Sequence, residues 1–319
     1  MQSIEELYLL FEDFRKSSSF GGKVAELYSP ANYLMDLGGK RMRPLLTLLS
    51  HQLWQIESTP SLTAALAIEV FHNFSLMHDD IMDASPLRRG QPTVHKKYNT
   101  NAAILSGDWM LIHTYELLNK YPSPLNRELI TLMNKTATEV CEGQQLDINF
   151  ESRLDVSESE YVEMIKNKTA VLLGAAMQIG GMICNASDED LTHLYDAGLY
   201  LGLSFQLRDD YLDVFSPESG KIKGGDIHQN KKTLLFIHCL QQLGITDKTS
   251  LLSYYSQNNM DKVQEVTELF KKTKSDEYVK SMAAQYGVQA FEALDKIAVP
   301  EKNKSNLRSL FQTLLNRNS

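Results

Sequence analysis

Cysteine, proline and glycine are all scarce in this chain, and each shortage narrows what it can be. Only three cysteines occur, Cys141, Cys184 and Cys239, widely spaced and without a C-x-x-C pair. An odd count at such spacing excludes a disulfide framework and a zinc knuckle, and points to reduced thiols in a cytoplasmic protein. We read all three as packing residues. Basic charge is also short: 32 Lys and Arg stand against 40 Asp and Glu, a net charge of −8. That balance leaves no footprint for a nucleic acid. Long apolar runs are missing as well. The most apolar stretch, Thr169 to Cys184, contains Gln178, Gly174, Gly180 and Gly181 and falls short of the roughly 20 residues that a spanning helix needs. It is expected as a buried core helix, with no membrane span. The opening MQSIEELYLLFEDF carries glutamates where a secretory signal is basic, so no export signal is expected.

The few glycines and prolines sit in clusters, at Gly21-Gly22, Gly38-Gly39, Gly90 to Pro92, Pro122 and Pro124, and Gly220 to Gly225. Between them apolar residues recur at i, i+3 and i+4, the helical period. Leu62, Leu66, Val70, Phe74, Met77 and Ile81 form one such stripe. No alternation long enough for a sheet is present. Ser157 with Glu160, and Ser187 with Asp190, have the spacing of capping boxes at helix starts. The class is therefore all-α, with moderately long helices joined by short loops. No low-complexity linker divides the chain, so a single domain over residues 1–319 is expected.

Two Asp-Asp-x-x-Asp elements stand out, Asp79-Asp80-Ile81-Met82-Asp83 and Asp209-Asp210-Tyr211-Leu212-Asp213. On a helix, positions i and i+4 lie about 40° apart, so Asp79 and Asp83 share a face, as do Asp209 and Asp213. Carboxylates at that spacing repel, and acids near a helix C-terminus oppose its dipole, so something must compensate them. Oxygen-only clusters suit a hard cation, and Mg²⁺ held by carboxylates plus phosphate oxygens fits best. One such triplet in an acidic chain reads as a solvated face. Two triplets, flanked by Phe74, Met77 and Ile81 and by Leu201, Phe205 and Tyr211, read as metal ligands, because acids beside a core must be paired or coordinated. Polar stripes continue both faces, His72, Ser75, Asp79, Asp83 and Gln206, Asp209, Asp213. The repetition suggests two facing helices sharing one site, with the stripes lining a cavity.

The cations needed for an anionic substrate sit close by in sequence. Gly38-Gly39-Lys40-Arg41-Met42-Arg43-Pro44 places three of them after a glycine pair and ahead of a proline suited to a helix's first turn. Such a segment can hold a diphosphate. Arg88-Arg89-Gly90, Lys168-Thr169, Gly220-Lys221 and Lys231-Lys232-Thr233 add further groups.

In these residues the chain resembles the trans-isoprenyl diphosphate synthases, the polyprenyl synthetase family. GGKRMRP, FSLMHDDIMDASPLRRGQPTVH, AILSGDWM, GQQLD, KTAVLLG, FQLRDDYLDVF and GKIKGGDIHQNKKT follow in the family's order. The resemblance implies an antiparallel helical bundle around a deep central cavity, a homodimer, and Mg²⁺ as cofactor with three ions in the substrate-bound state. It implies that Asp79, Asp83 and Asp209 are the main metal ligands, with Asp80, Asp210 and Asp213 completing or supporting the shells. Lys40, Arg43, His72 and Arg89 would bind the diphosphate of isopentenyl diphosphate. Arg88, Lys168, Lys221 and Lys231 would hold the allylic diphosphate, whether dimethylallyl, geranyl or farnesyl. Thr169 and Gln206 would sit near the reacting carbons, and Phe74 and Ser75 would set product length, with Phe71 and Ile68 as rival floor residues. A bulky Phe74 beside a small Ser75, with no insertion in DDIMD, resembles geranylgeranyl diphosphate synthases more than farnesyl ones. The alternatives are farnesyl diphosphate as main product, a class I terpene cyclase, or a non-catalytic partner subunit.

Overall fold

The computed structural model describes residues 2–216, 224–256 and 262–316. Among these residues the all-α expectation holds. The helices are α1 (Ile4–Ser17), α2 (Ala25–Asp36), α3 (Met42–His51), α4 (Leu62–Met82), α5 (Val94–Lys97), α6 (Thr100–Leu118), α7 (Leu125–Glu151) and α8 (Glu158–Ile165). They continue as α9 (Val171–Ile183), α10 (Asp188–Phe215), α11 (Gly225–His228), α12 (Leu234–Gln242), α13 (Ile245–Tyr255), α14 (Lys262–Lys272), α15 (Ser275–Lys296) and α16 (Glu301–Leu315). A two-stranded hairpin, β1 (Leu87–Arg88) with β2 (Gln91–Pro92), and a π-helical turn at Lys166–Ala170 interrupt the α-helical pattern. Both expected capping serines act as such. Ser157 and Glu160 form a reciprocal box at α8, and Ser187 Oγ accepts from the Asp190 N–H at 3.1 Å. Ser3 with Glu6 makes a further box at α1. The stretch read as a buried core helix is α9, and no helix among the described residues is long and apolar enough to cross a membrane.

Backbone packing groups the chain into two compact units, Met1–Asn134 with Ala175–Thr192 and Ala298–Leu307, and Lys135–Gly174 with His193–Ile297 and Arg308–Ser319. In the first, Leu7, Phe11, Leu34, Met35, Leu46, Leu48 and Leu49 are at most 2 % exposed. Arg41 penetrates that core. It donates to Glu12 on α1 (2.7 Å), Glu69 on α4 (2.6 Å) and the Met35 carbonyl on α2 (2.7 Å), tying three helices to the start of α3. α4 buries more than the predicted stripe, since Ala64, Ala65, Ala67, Ile68 and Phe71 are enclosed along with Leu62, Leu66, Val70 and Met77. A helix surrounded on most sides loses the amphipathic period. On its last turns the polar series His72, Ser75 and Asp79 stays half-buried, alongside Phe74, Leu76, His78 and Ile81, with Asp83 exposed.

The second unit packs Phe150, Tyr161, Ile165, Leu203, Leu207, Val214, Leu234, Phe236, Val266 and Phe270 into one cluster. α10 approaches the chain around the π-turn very closely, because Gly202 lies under Ala170: a Cβ there would come within 2.6 Å of the Ala170 Cα. That proximity brings Thr169 to the flank of α10, where Gln206 stands.

Candidate active site

The first aspartate segment closes α4, whose C-cap is Asp83. Ala84, with φ of +50°, turns the chain away, and the hairpin returns it. Arg89 and Gly90 both have positive φ, 52° and 76°, the combination of a type I′ turn, which explains a glycine at the second position. The hairpin delivers Arg88 to the aspartates. Its Nε and Nη2 donate to the two Asp80 oxygens at 2.8 Å each, and Nη2 lies 3.7 Å from Asp79 Oδ2. Asp80 is only 2 % exposed and is thus paired inside the protein.

Beside this pair the same unit gathers cations. Arg43 Nη1 donates to His72 Nε2 at 3.1 Å, so that nitrogen is the acceptor and the imidazole is neutral with its proton on Nδ1. Burial, then Arg43, Arg89, Arg88 and Arg41, hold the His72 pKa well below the ordinary value. Burial brings Arg43 down to about 10, with Glu69 pulling it back up and Arg89 pushing it down, and its Nε meets no acceptor among the described residues. Arg89 donates to the Gly38 carbonyl and is itself shifted down, first by burial. Gly39, at φ of +139°, holds a backbone conformation that residues with a Cβ rarely adopt, and the guanidinium of Arg89 lies 2.9 Å from where that Cβ would sit. Three expected phosphate-binding residues, Arg43, His72 and Arg89, therefore form one group whose surplus positive charge an anion would relieve. Lys40 is exposed next to them in sequence, whereas Arg41 is 3 % exposed and belongs to the core.

In the second unit the aspartates sit on the last turns of α10. Gln206 Nε2 donates to Asp210 Oδ1 at 2.9 Å, and the Tyr161 hydroxyl donates to Asp210 Oδ2. Burial and the nearby Asp226 push Asp210 up to about 8, against the pull of those two donors. Thr169 Oγ1 donates to Gln206 Oε1 at 3.1 Å, uniting the two residues expected near the reacting carbons. Lys168 Nζ reaches Asp147 Oδ2 on α7 at 2.6 Å. The turn carrying Lys168 and Thr169 is π-helical, and Gly143 of α7 makes room for it, since a Cβ there would fall 2.2 Å from the Lys168 nitrogen. Asp213 Oδ2 accepts from the Asp226 N–H at 2.9 Å, and Lys231 Nζ lies 3.9 Å from Asp226 Oδ1. Lys221 lies outside the described residues.

Both aspartate segments offer only oxygen donors, the donor type of a hard divalent ion. Within either unit, among the described residues, no three His, Cys, Asp or Glu side chains already converge on one point. A cation there would complete its shell with phosphate or water oxygens, which is how Mg²⁺ is ordinarily held. Sequence reading missed Tyr161, Asp147's partnership with Lys168, and the role of Gly143. It did not separate Arg41 from its neighbours either. Tyr161 stands seven residues before Lys168, two helical turns away, which was its one available signal.

On the chain's apolar side, Phe74 is half-buried, its ring 5.5 Å from that of Phe71 and 4.9 Å from that of His78. Phe71 is fully enclosed. Ser75 Oγ turns back to donate to the His72 carbonyl at 2.8 Å.

Comparison with known proteins adds the lineage. The family model described as "Polyprenyl synthetase" matches residues 24–273. The geranylgeranyl diphosphate synthase of Methanosarcina mazei is 39 % identical over 285 residues, covering 87 % of this chain and 86 % of that one. A crystal structure of a geranylgeranyl pyrophosphate synthase aligns with a TM-score of 0.94 at 40 % identity, covering 100 % of both chains. A polyprenyl synthase from Caulobacter crescentus, complexed with calcium and isoprenyl diphosphate, aligns with a TM-score of 0.88 at 26 % identity, covering 99 % of this chain and 98 % of that one. The chain belongs to the polyprenyl synthetase family and is a short-chain prenyltransferase, an isoprenyl diphosphate synthase.

Proposed function

We propose that this enzyme condenses isopentenyl diphosphate with an allylic diphosphate and that its main product is geranylgeranyl diphosphate. The observation carrying the proposal is the Arg43, His72 and Arg89 group: two guanidinium groups beside a neutral imidazole, with a buried Arg43 N–H that meets no acceptor among the described residues, an arrangement suited to a polyanion. The names of the relatives in Methanosarcina mazei and among the solved structures support the product length.

In this reading Lys40, Arg43, His72 and Arg89 hold the diphosphate of isopentenyl diphosphate. Asp79, Asp83, Asp209 and Asp213 hold Mg²⁺, with three ions in the substrate-bound state, while Asp80 and Asp210 act as supports through Arg88 and Tyr161. When bound, Mg²⁺ neutralises charge developing on the departing diphosphate as a Lewis acid. Arg88, Lys168, Lys221 and Lys231 complete that neutralisation from the protein. Heterolysis of the allylic C–O bond leaves a cation, which the double bond of isopentenyl diphosphate attacks. The oxygens of Thr169 and Gln206 place partial negative charge near it, and the proton lost from the new chain passes to the released diphosphate, so no side chain serves as general base. Phe74 and Ser75 limit the length of the growing chain.

We further propose that the chain works as one catalytic domain, since a single family model runs through residues of both compact units, and in the cytoplasm. A homodimer is proposed on the outer face of α6, where Ile104, Leu105 and Ile112 are 41 %, 60 % and 59 % exposed. An apolar helix face of that kind fits a second copy of the chain.

The test is product analysis with purified protein, Mg²⁺, isopentenyl diphosphate and each primer in turn. Inorganic diphosphate released only when both substrates are present, with a C20 alcohol after dephosphorylation, is the expected result. Release from the allylic substrate alone would identify a cyclase, and no release at all a silent subunit.

A further inference from the structure

Tyr161 is 2 % exposed on α8, and its hydroxyl donates to Asp210 Oδ2. On the other oxygen of that carboxylate, Gln206 Nε2 donates at 2.9 Å, and on the far side of the Gln206 amide Thr169 Oγ1 donates to Oε1 at 3.1 Å. The order of donors and acceptors along this chain has one consistent direction. Asp210 accepts from the Gln206 NH₂ on one oxygen and from the Tyr161 hydroxyl on the other, which leaves the Gln206 carbonyl oxygen turned toward Thr169. An amide turned the other way would set an N–H, a positive dipole end, where the enzyme wants an oxygen.

Asp210 can impose that orientation only while it is itself held. It is 4 % exposed on α10, and its second oxygen has the hydroxyl of Tyr161, on α8, as donor. We propose that Tyr161 is a positioning residue for the condensation: through Asp210 it fixes the Gln206 amide, and so keeps the Gln206 and Thr169 oxygens aimed at the cationic carbon. The inference rests on the reading of Thr169 and Gln206 given under Proposed function. It gives the buried Tyr161 hydroxyl of α8 a task carried out through the middle aspartate of the second segment.

Tyr161→Phe removes the hydroxyl and keeps the ring. The expected result is a kcat lowered roughly 10- to 100-fold, the size found for lost orienting partners. KM for both diphosphates, and the Mg²⁺ concentration giving half-maximal rate, stay within about threefold. In a Gln206→Ala background the same substitution has almost no further effect on kcat, because the group it orients is gone. Unchanged kcat in Tyr161→Phe overturns the proposal, as do multiplicative losses in the double variant or a raised Mg²⁺ requirement, which would place Tyr161 in metal support. If Tyr161→Phe proves too unstable to assay, Asp210→Asn replaces it. The same kcat loss at unchanged Mg²⁺ requirement supports the proposal, and wild-type kcat overturns it. Wild-type protein that fails to join the two diphosphates defeats the functional reading instead, before any variant is compared.

Discussion

Arg88 grips Asp80 with two parallel hydrogen bonds of 2.8 Å, so the second aspartate of the first triplet is already paired before any ligand arrives. The two flanking aspartates differ from it. Asp79 Oδ2 is 3.7 Å from Arg88 Nη2, and Asp83 is exposed at the helix end. The triplet therefore divides into an enclosed anchor, Asp80, a half-buried Asp79 and an exposed Asp83. Asp80→Asn should cost stability, about 1–3 kcal/mol for a buried partner lost, with a partial loss of rate. Asp79→Ala should abolish turnover with the far-ultraviolet circular dichroism spectrum unchanged. Near-normal activity in Asp79→Ala would remove it from the metal ligands.

Two adjacent cations in the loop before α3 should separate cleanly under mutation. Arg41 pairs with Glu12 and Glu69 inside the core, whereas Lys40 is exposed. Removing one member of a buried ion pair leaves the other uncompensated and costs about 3–5 kcal/mol. Arg41→Met should lower the urea midpoint accordingly. Lys40→Ala should leave stability within about 0.5 kcal/mol and raise KM for isopentenyl diphosphate. Equal stability losses in the two variants would contradict this division.

That pair also shows where a sequence stops being informative. Lys40, Arg41 and Arg43 read alike as a basic loop, and only burial tells the core strut from the anion-binding residues. The aspartate triplets were visible because their i, i+4 spacing is local, and α8 and α10 were visible because serine caps act over three residues. The Tyr161 to Asp210 bond joins residues 49 apart in sequence, and nothing local marks it. α4 was legible as a helix but not as a central one, since its period is blurred when every side is covered. The π-turn at Lys166–Ala170 has no propensity signature; it exists because Gly143 leaves space for it.

Gly143 makes a prediction of its own. A methyl group there would meet the Lys168 backbone nitrogen at 2.2 Å and the Lys168 Cα at 2.7 Å, and backbone cannot swing aside as a side chain can. Gly143→Ala should displace the turn, breaking the Lys168 to Asp147 and Thr169 to Gln206 contacts together. A misplacement near 1 Å costs on the order of 100-fold in rate. Steady-state kinetics should show that loss in kcat, with helical content retained. Wild-type kcat would mean that Lys168 and Thr169 need no such register.

Stability should fall in mild acid, and His72 should be one cause. Its pKa in the folded protein is well below 6.5, from burial and then from Arg43 and its neighbours. The unfolded chain therefore binds a proton at His72 that the folded chain refuses. Stability is fully present above the unfolded value near 6.5 and declines below it, with a slope approaching about 1.4 kcal/mol per pH unit. His72→Gln should flatten the decline between pH 7.5 and 5.5 in urea unfolding. An identical pH profile in that variant would show that the imidazole takes up its proton alike in the folded and unfolded chains.

Product length provides the last discrimination, between Phe71 and Phe74. Their rings are 5.5 Å apart on α4, yet Phe71 is fully enclosed while Phe74 is half-buried and leans on His78 at 4.9 Å. Truncating an enclosed phenylalanine leaves a cavity and costs about 3–5 kcal/mol. Phe71→Ala should accordingly unfold more easily with little change in product. Phe74→Ala opens space at a surface that is already partly accessible, so it should be better tolerated, and a growing prenyl chain can use the vacated volume. Ser75, whose hydroxyl is turned back onto the His72 carbonyl, adds no bulk to oppose it. Chromatography of the dephosphorylated products should show Phe74→Ala shifted toward longer alcohols by one or more five-carbon units. The same distribution as the parent enzyme would eliminate Phe74 as the floor.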